Sequence, residues 1–106
     1  MTSMNDKEKA HENKYAHDKE LEFKINARRN KLLGLWVAEK IALPAEKHDA
    51  YAKEVVLSDF EKAGDDDVFE KVKKDLFDAG LRLTDKEIRE EMYRLIQIAR
   101  DQVTNE

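Results

Sequence analysis

The fold is decided within residues Phe23 to Trp36, FKINARRNKLLGLW, because the chain changes character there. The first half of this stretch is polar and basic, and the second half is apolar and ends in the only tryptophan. Upstream, few apolar side chains are present, whereas downstream they recur at helical spacing to the end of the chain. The stretch therefore predicts the point where an exposed helical arm, residues 1–18, leads into a packed core.

The first core helix is predicted from Lys19 onward. One helical face is indicated by apolar residues spaced four, seven and four apart, namely Leu21, Ile25, Leu32 and Trp36. After Leu32 the apolar residues surround the helix (Leu33, Val37 and Ile41 are added), so we expect this segment to be buried at the centre of the fold. Gly34 costs a helix interior about 1 kcal/mol relative to alanine, which close approach by another helix would justify. Pro44 predicts the helix end, because the residue before a proline disfavours helical geometry.

A second helix is expected to begin around Pro44, since proline is well tolerated in a first helical turn. We expect it to reach about Ala63 and to be closed by Gly64 in a left-handed cap conformation. Its inward residues are predicted to be Tyr51, Val55, Val56 and Phe60.

Two further helices follow at clear start signals. The triplet Asp65-Asp66-Asp67 favours a helix N-terminus through capping and the helix dipole, and Gly80 predicts the end of that helix. Thr84 and Glu87 have the spacing of a capping box, which predicts the start of the last helix. The residues expected to face inward are Val68 or Phe69, Val72 and Leu76 in the third helix, and Ile88, Met92, Leu95, Ile96, Ala99 and Val103 in the fourth.

These signals predict an all-α fold, a four-helix bundle with a partly disordered N-terminal arm. The arm comprises residues 1–18, in which we expect a nascent helix from about Asp6. The bundle comprises residues 19–106, with helices at about 19–43, 44–63, 66–79 and 84–104. Periodicity leaves open whether the helices pack antiparallel or in a more orthogonal arrangement.

Composition narrows the classes of function. A chain of 106 residues supports one modest core, and the absence of cysteine excludes disulfides and thiol chemistry. No apolar run approaches the roughly 18 residues of a membrane span, so we expect a cytoplasmic protein without direct membrane insertion. The formal net charge is −4, and a slight basic excess is confined to residues 1–31. This distribution argues against a nucleic-acid-binding protein.

No catalytic or metal-binding motif stands out, so we predict neither an enzyme nor a cofactor. Phosphate loops, metalloprotease motifs and nucleophile elbows are missing from the sequence. His11 and His17 are six residues apart, which places them on different helix faces, whereas a metal-binding pair would be four apart. The aspartate triplet at 65–67 lacks the alternating spacing of a calcium loop, so helix capping is the favoured interpretation.

Three residues near the start of the core allow two interpretations. Arg28 and Arg29 could contact the phosphates of a nucleotide, with Trp36 as a platform for its base. The favoured alternative is that both arginines are solvated charges beside Glu20 or Glu22, and that Trp36 belongs to the core.

A family resemblance adds a function to this reading. The segments KYAHDKELEFKINARRNKLLGLWVAEKI (14–41) and AYAKEVVLSDFEKAGDDDVFEKVKKDL (50–76) resemble the zeta subunit family of alphaproteobacterial F-type ATP synthases. The most specific parts are ARRNKLLGLW and EKAGDDDVF. The resemblance implies a four-helix regulatory protein that inhibits ATP hydrolysis by the catalytic head. Its implied partners are the alpha, beta and gamma subunits, and its implied location is peripheral to the inner membrane when bound.

The resemblance also implies which part of the chain inhibits. The inhibitory segment would be about Asp6 to Asp18, inserted at a catalytic interface of the head. Family members often carry an aromatic residue where this chain has Met4, and Tyr15 is the best single anchor because aromatic residues dominate interface energetics. The expected partner-binding residues are Met4, Asp6, Lys7, Lys9, His11, Lys14, Tyr15, His17 and Asp18. The histidines could add pH sensing, and the alternative function is a nucleotide-sensing or protein-interaction module without inhibitory activity.

Overall fold

The computed structural model describes the backbone of residues 2–59 and 64–106, and the side chains of residues 18–59 and 64–106. Within these ranges the chain forms helices α1 (Thr2–Lys40), α2 (Ala45–Ser58), α3 (Asp66–Asp78) and α4 (Asp85–Thr104), and no strand. The predicted all-α four-helix fold is confirmed. The helix α1 contacts each of the other three helices, so it is the central element of the bundle.

The helix α1 is longer at its N-terminus and shorter at its C-terminus than the sequence predicts. Its 39 residues correspond to about 58 Å of helix, and it continues through the predicted arm without a break. The predicted start of the core helix at Lys19 therefore falls inside one continuous helix. At the other end, the helix stops at Lys40 instead of residue 43, because the chain turns back on itself at Ala42.

The turn after α1 is a Schellman motif with alanine in the position that usually holds glycine. Ala42 has a φ of +59°, its amide donates to the Glu39 carbonyl over 3.1 Å, and the Leu43 amide donates to the Ala38 carbonyl over 3.0 Å. Pro44 then occupies the N-cap position of α2, just before the first helical turn in which it was predicted. The side chain of His48 returns to the Leu43 carbonyl over 2.8 Å and braces this turn.

Replacing Ala42 with glycine is expected to raise the free energy of unfolding by about 1 kcal/mol, because the left-handed conformation penalises a Cβ atom. Ala50, which is exposed within α2, provides the matched control. The same substitution there should lower the free energy of unfolding by about 1 kcal/mol, since glycine is a poor helix former. Urea denaturation followed by circular dichroism measures both changes, and equal signs would contradict the account.

Gly34 lies where α1 and α2 cross, as the sequence predicts. A Cβ atom built on Gly34 would lie 2.6 Å from the Ala52 Cα atom, 3.1 Å from the Ala52 Cβ atom and 3.3 Å from the Val55 Cβ atom. The first of these distances is far inside van der Waals contact and involves backbone, which cannot rotate away. The two helices can approach this closely only because residue 34 lacks a side chain.

The buried face of α1 is only partly the predicted one, since Ile25, Leu33 and Val37 are buried as predicted and Ile41 is half-buried. Of the predicted stripe, Ile25 is fully buried, but Leu21, Leu32 and Trp36 lie at its half-buried edges. The buried residues of α1 are Ile25, Arg29, Asn30, Leu33, Gly34, Val37 and Ala38. The prediction missed Arg29 and Asn30 on this face because polar residues interrupt the apolar pattern.

The helix α2 ends earlier than predicted. It stops at Ser58 with Asp59 at the C-cap, instead of at Ala63. Gly64 has the expected left-handed conformation, with a φ of +83°, but it lies six residues beyond Ser58 and so does not cap α2. Tyr51 and Val55 are buried as predicted, Val56 is half-buried, and Phe60 lies outside the described residues.

The later helices follow their sequence signals closely. Asp65 is the N-cap residue of α3, although its side chain pairs with arginines instead of capping the helix. Gly80, with a φ of +86°, ends the turn after α3, and the Thr84 hydroxyl accepts from the Glu87 amide over 3.1 Å in a complete capping box. The predicted inward residues of α3 and α4 are all buried except Ile96, which is half-buried.

Candidate partner-binding segment and its anchor

The predicted partner-binding residues lie almost entirely on the N-terminal half of α1. Side chains outside the described residues are those of Met4, Asp6, Lys7, Lys9, His11, Lys14, Tyr15 and His17. Asp18, the remaining one, has an exposed side chain. The structure places all nine on one continuous helix with the core segment, so the backbone of the arm and that of its anchor form a single element.

The anchor begins at Leu21. Leu21 is the first described residue of α1 that packs against other helices, in a cluster with Ile25 of α1 and Ala99 and Val103 of α4. One residue later, the Glu22 carboxylate pairs with Arg100 of α4 over 3.2 Å. Residues 18–20 immediately before this point are exposed. Among the side chains that the structure describes, packing of α1 against α4 is first seen at Leu21, and the division of the chain at 18/19 stays a prediction.

Arg28 strengthens the same α1–α4 contact near the end of α4. Its guanidinium donates to the Gln102 side-chain carbonyl over 2.9 Å and forms an ion pair with Glu106. The side chain is half-buried, so the pair is partly screened by water and adds little stability on its own. Arg28 thus contacts Gln102 and Glu106 of α4 and its neighbourhood, and not Glu20 or Glu22 as predicted from the sequence.

Arg29 is buried, which makes the prediction of a solvated charge wrong for this residue. Its side chain is 7% exposed, its Nε atom donates to the Asn30 Oδ1 atom over 2.6 Å, and its guanidinium lies 3.8 Å from the Asp65 carboxylate. Burial lowers the pKa of Arg29, and the nearby Asp65 and Asp59 carboxylates oppose that shift. Arg29 falls four residues after Ile25 and four before Leu33, so spacing places it on the same face of α1, but the partner that permits its burial, Asp65, is not visible from spacing.

Asp65 connects Arg29 to a second arginine and so joins three helices. Arg89 of α4 donates over 2.9 Å to each of the Asp65 and Asp66 carboxylates, and its guanidinium stacks on the Phe69 ring at 4.1 Å. Burial lowers the pKa of Arg89, but the hydrogen bonds to Asp66 and Asp65 outweigh it, so the pKa is raised. The aspartates at the start of α3 thus connect α3 to α1 and α4 through ion pairs.

The three residues considered for nucleotide contact are not brought to one cleft. Arg29 lines a cleft with Arg89 and Asp65, whereas Arg28 lines a different one beside α4. Trp36 lies in a third position, half-buried against the core, with the Lys40 ammonium 5.6 Å from its ring. Each residue already has a structural partner in the described part of the chain.

Within the described residues, no helix is long and apolar enough to cross a bilayer. In the same part of the chain, no three His, Asp or Glu side chains are grouped to hold a metal ion.

Comparison with known proteins gives the family. The family described as ATPase inhibitor subunit zeta matches residues 1–102. The chain belongs to this family. The match to the zeta family confirms the resemblance inferred from ARRNKLLGLW and EKAGDDDVF, and it includes the whole arm as well as the bundle.

A solved structure supports the same fold. A protein described as a solution NMR structure is 42% identical to this chain and superposes with a TM-score of 0.71. The similarity covers 80% of this chain and 96% of that protein. A search of the curated proteins finds no match to this chain. The fold of the zeta-family chain is thus supported by an independent structure.

Proposed function

We propose that this chain inhibits ATP hydrolysis by the catalytic head of an F-type ATP synthase. The observation that carries the proposal is the zeta-family match, because it extends over residues 1–102 and so includes the arm. The protein would act as a cytoplasmic regulator without catalysis of its own. It would be peripheral to the inner membrane whenever it is bound to the synthase.

The proposed mechanism is insertion of residues 6–18 at a catalytic interface formed by alpha and beta subunits near gamma. Such an interface must open and close in each catalytic cycle, so a helix that binds one state shifts the population toward it and stops turnover. The continuity of α1 supports this mechanism, because a helix wedge needs a rigid connection to the domain that carries it.

The length of α1 fits insertion of the arm while the bundle stays outside. Leu21 is the first residue with a described side chain that packs against α4, and 19 residues of α1, or about 28 Å, precede it. That length lets the arm enter a cleft while the bundle stays outside. Charged residues such as Lys7, Lys9 and Asp18 would steer association and fix register more than they would add affinity.

A photo-crosslinking residue at position 15 tests the proposed contact. With the Tyr15 side chain replaced by a photoreactive phenylalanine, illumination of the bound head should link the chain to alpha or beta subunits. The matched control places the same group at Tyr93, which is 70% exposed on α4 and has no role in the mechanism. Crosslinks from position 93 but none from position 15 would contradict the proposal that the arm binds at the interface.

The alternative, a nucleotide-sensing module, stays a hypothesis for this chain. It would use one or more of Arg28, Arg29 and Trp36, although the structure distributes these residues over separate clefts. Titration with ATP or ADP, followed by Trp36 fluorescence, would favour this alternative if a saturable change appeared without any effect of the chain on ATP hydrolysis.

A further inference from the structure

A second surface on α1 has features of a docking site that the proposed role of the arm does not explain. It is a cleft of about 310 Å³ bounded by α1, α2 and the C-terminal end of α4. Its floor is apolar, with contributions from Ala27, Val56 and Val103. Phe23 forms one edge and is 58% exposed, a large fraction for an aromatic side chain. Aromatic residues at the edge of an apolar cleft are typical of protein interfaces.

The rim of this cleft has three basic residues and one carboxylate, that of Glu106, so its net charge is positive. Lys24, Arg28 and Lys31 recur at spacings of four and three, so they lie on one side of α1. Arg28 is engaged with Gln102 and Glu106 of α4. Lys24 and Lys31 are exposed, and neither forms a hydrogen bond or ion pair with another described residue. Two positive charges without partners border an apolar cleft in a chain of net charge −4.

We propose that this cleft, the α1–α4 cleft, docks an acidic amphipathic helix of the same catalytic head that receives the arm. This inference rests on the proposed function and adds a second contact to it. Charge complementarity selects the occupant, because carboxylates would pair with Lys24 and Lys31 while apolar side chains cover Phe23 and the floor. A purely acidic tail would leave the apolar floor exposed, and a basic segment would be repelled.

The position of the cleft on α1 allows the arm and the cleft to contact the catalytic head at the same time. Lys24 lies six residues after Asp18, which is about 9 Å along the helix axis. A helix at the mouth of the interface that holds the arm can therefore reach the cleft without unfolding the bundle. Because arm and cleft belong to one continuous helix, docking at the cleft would also orient the arm as it enters.

The two parts of the surface should affect binding differently. The exposed lysines act mainly on the association rate and its salt dependence, since dissolved ions screen their attraction beyond about 8 Å at physiological ionic strength. Phe23 acts mainly on dissociation, since its contribution comes from apolar area buried in the complex. This difference provides a signature that general destabilisation of the bundle would not reproduce.

The test measures association and dissociation of the full chain with the isolated catalytic head, together with inhibition of ATP hydrolysis. The first variant is Lys24→Glu/Lys31→Glu, and the second is Phe23→Ala. The control, Lys47→Glu/Lys86→Glu, makes the same change in net charge at exposed positions near the starts of α2 and α4. All the altered side chains are solvent-exposed, so each variant should retain the helical circular dichroism of the unaltered chain.

We expect Lys24→Glu/Lys31→Glu to associate about tenfold more slowly at low salt. In 0.5 M salt its association rate should approach that of the control, because the Debye length there is about 4 Å. Phe23→Ala should dissociate about fivefold faster at every salt concentration. The docking site would be overturned if both variants bound with the rates of the unaltered chain, or if the control lost association rate to the same extent. Inhibition by the arm would be unaffected by either result. No inhibition by the unaltered chain would instead overturn the proposed function, and the docking site with it.

Discussion

Replacing Gly34 with alanine is expected to lower the free energy of unfolding by about 1–3 kcal/mol, the usual cost of overpacking a core. Helix propensity alone predicts the opposite sign, a gain of about 1 kcal/mol, because alanine is the better helix former. The steric contact should prevail because the added Cβ atom would lie 2.6 Å from the Ala52 Cα atom. This steric contact can be relieved only if α2 as a whole moves away from α1. Urea denaturation of the two proteins measures the difference.

A double variant separates backbone from side-chain contact at this crossing. Gly34→Ala/Ala52→Gly removes the contact at 3.1 Å with the Ala52 Cβ atom but leaves the one at 2.6 Å with its Cα atom. Measured against Ala52→Gly alone, which carries the usual cost of about 1 kcal/mol for glycine in a helix, the Gly34→Ala change should cost less than it does beside Ala52 but should still lower the free energy of unfolding. A stabilised Gly34→Ala variant would show that α1 and α2 do not cross at this distance.

Replacing Arg29 with alanine is the second change with a large expected effect, a loss of about 2–4 kcal/mol of unfolding free energy. The substitution empties a buried site and removes the donor to the Asn30 Oδ1 atom, whose side-chain amide nitrogen already lacks a partner in the described structure. It also releases the contact with Asp65 that ties α1 to the start of α3. Thermal or urea denaturation measures the loss.

Arg28→Ala is the matched control, because the two arginines are neighbours in sequence and differ in burial. Arg28 is partly solvated, so its loss should cost about 1 kcal/mol or less. Arg29→Met should fall between the two, since methionine restores much of the buried volume without the charge. Equal costs for Arg28→Ala and Arg29→Ala would contradict the assignment of Arg29 to the core.

Much of the fold follows from local signals in the sequence. The capping box at Thr84, the left-handed glycine at residue 80 and the periodicity of α4 depend on neighbours within a few positions, so spacing alone predicts them. Gly34 was also readable, because an unfavourable residue within an otherwise apolar helix usually marks a close contact. These features are fixed by the geometry of one helix at a time.

Other features depend on contacts between helices and were not predictable in the same way. Arg29 was assigned to solvent because an arginine interrupts an apolar stripe, and its burial requires Asp65, which is 36 positions away in the chain. The end of α2 at Ser58 was missed because the glycine at residue 64 gave a stronger stop signal. The α1–α4 cleft was missed as well, since it combines residues from three helices.

The most direct test of the central claim compares the full chain with a chain that begins at Lys19 in an assay of ATP hydrolysis by the isolated catalytic head. The shorter chain keeps Leu21 and every buried residue of the described core, so circular dichroism should show a folded bundle. The account predicts that the full chain inhibits hydrolysis and that the shorter chain, at the same concentration, does not. Equal inhibition by the two chains would contradict the claim that the arm is the inhibitory element.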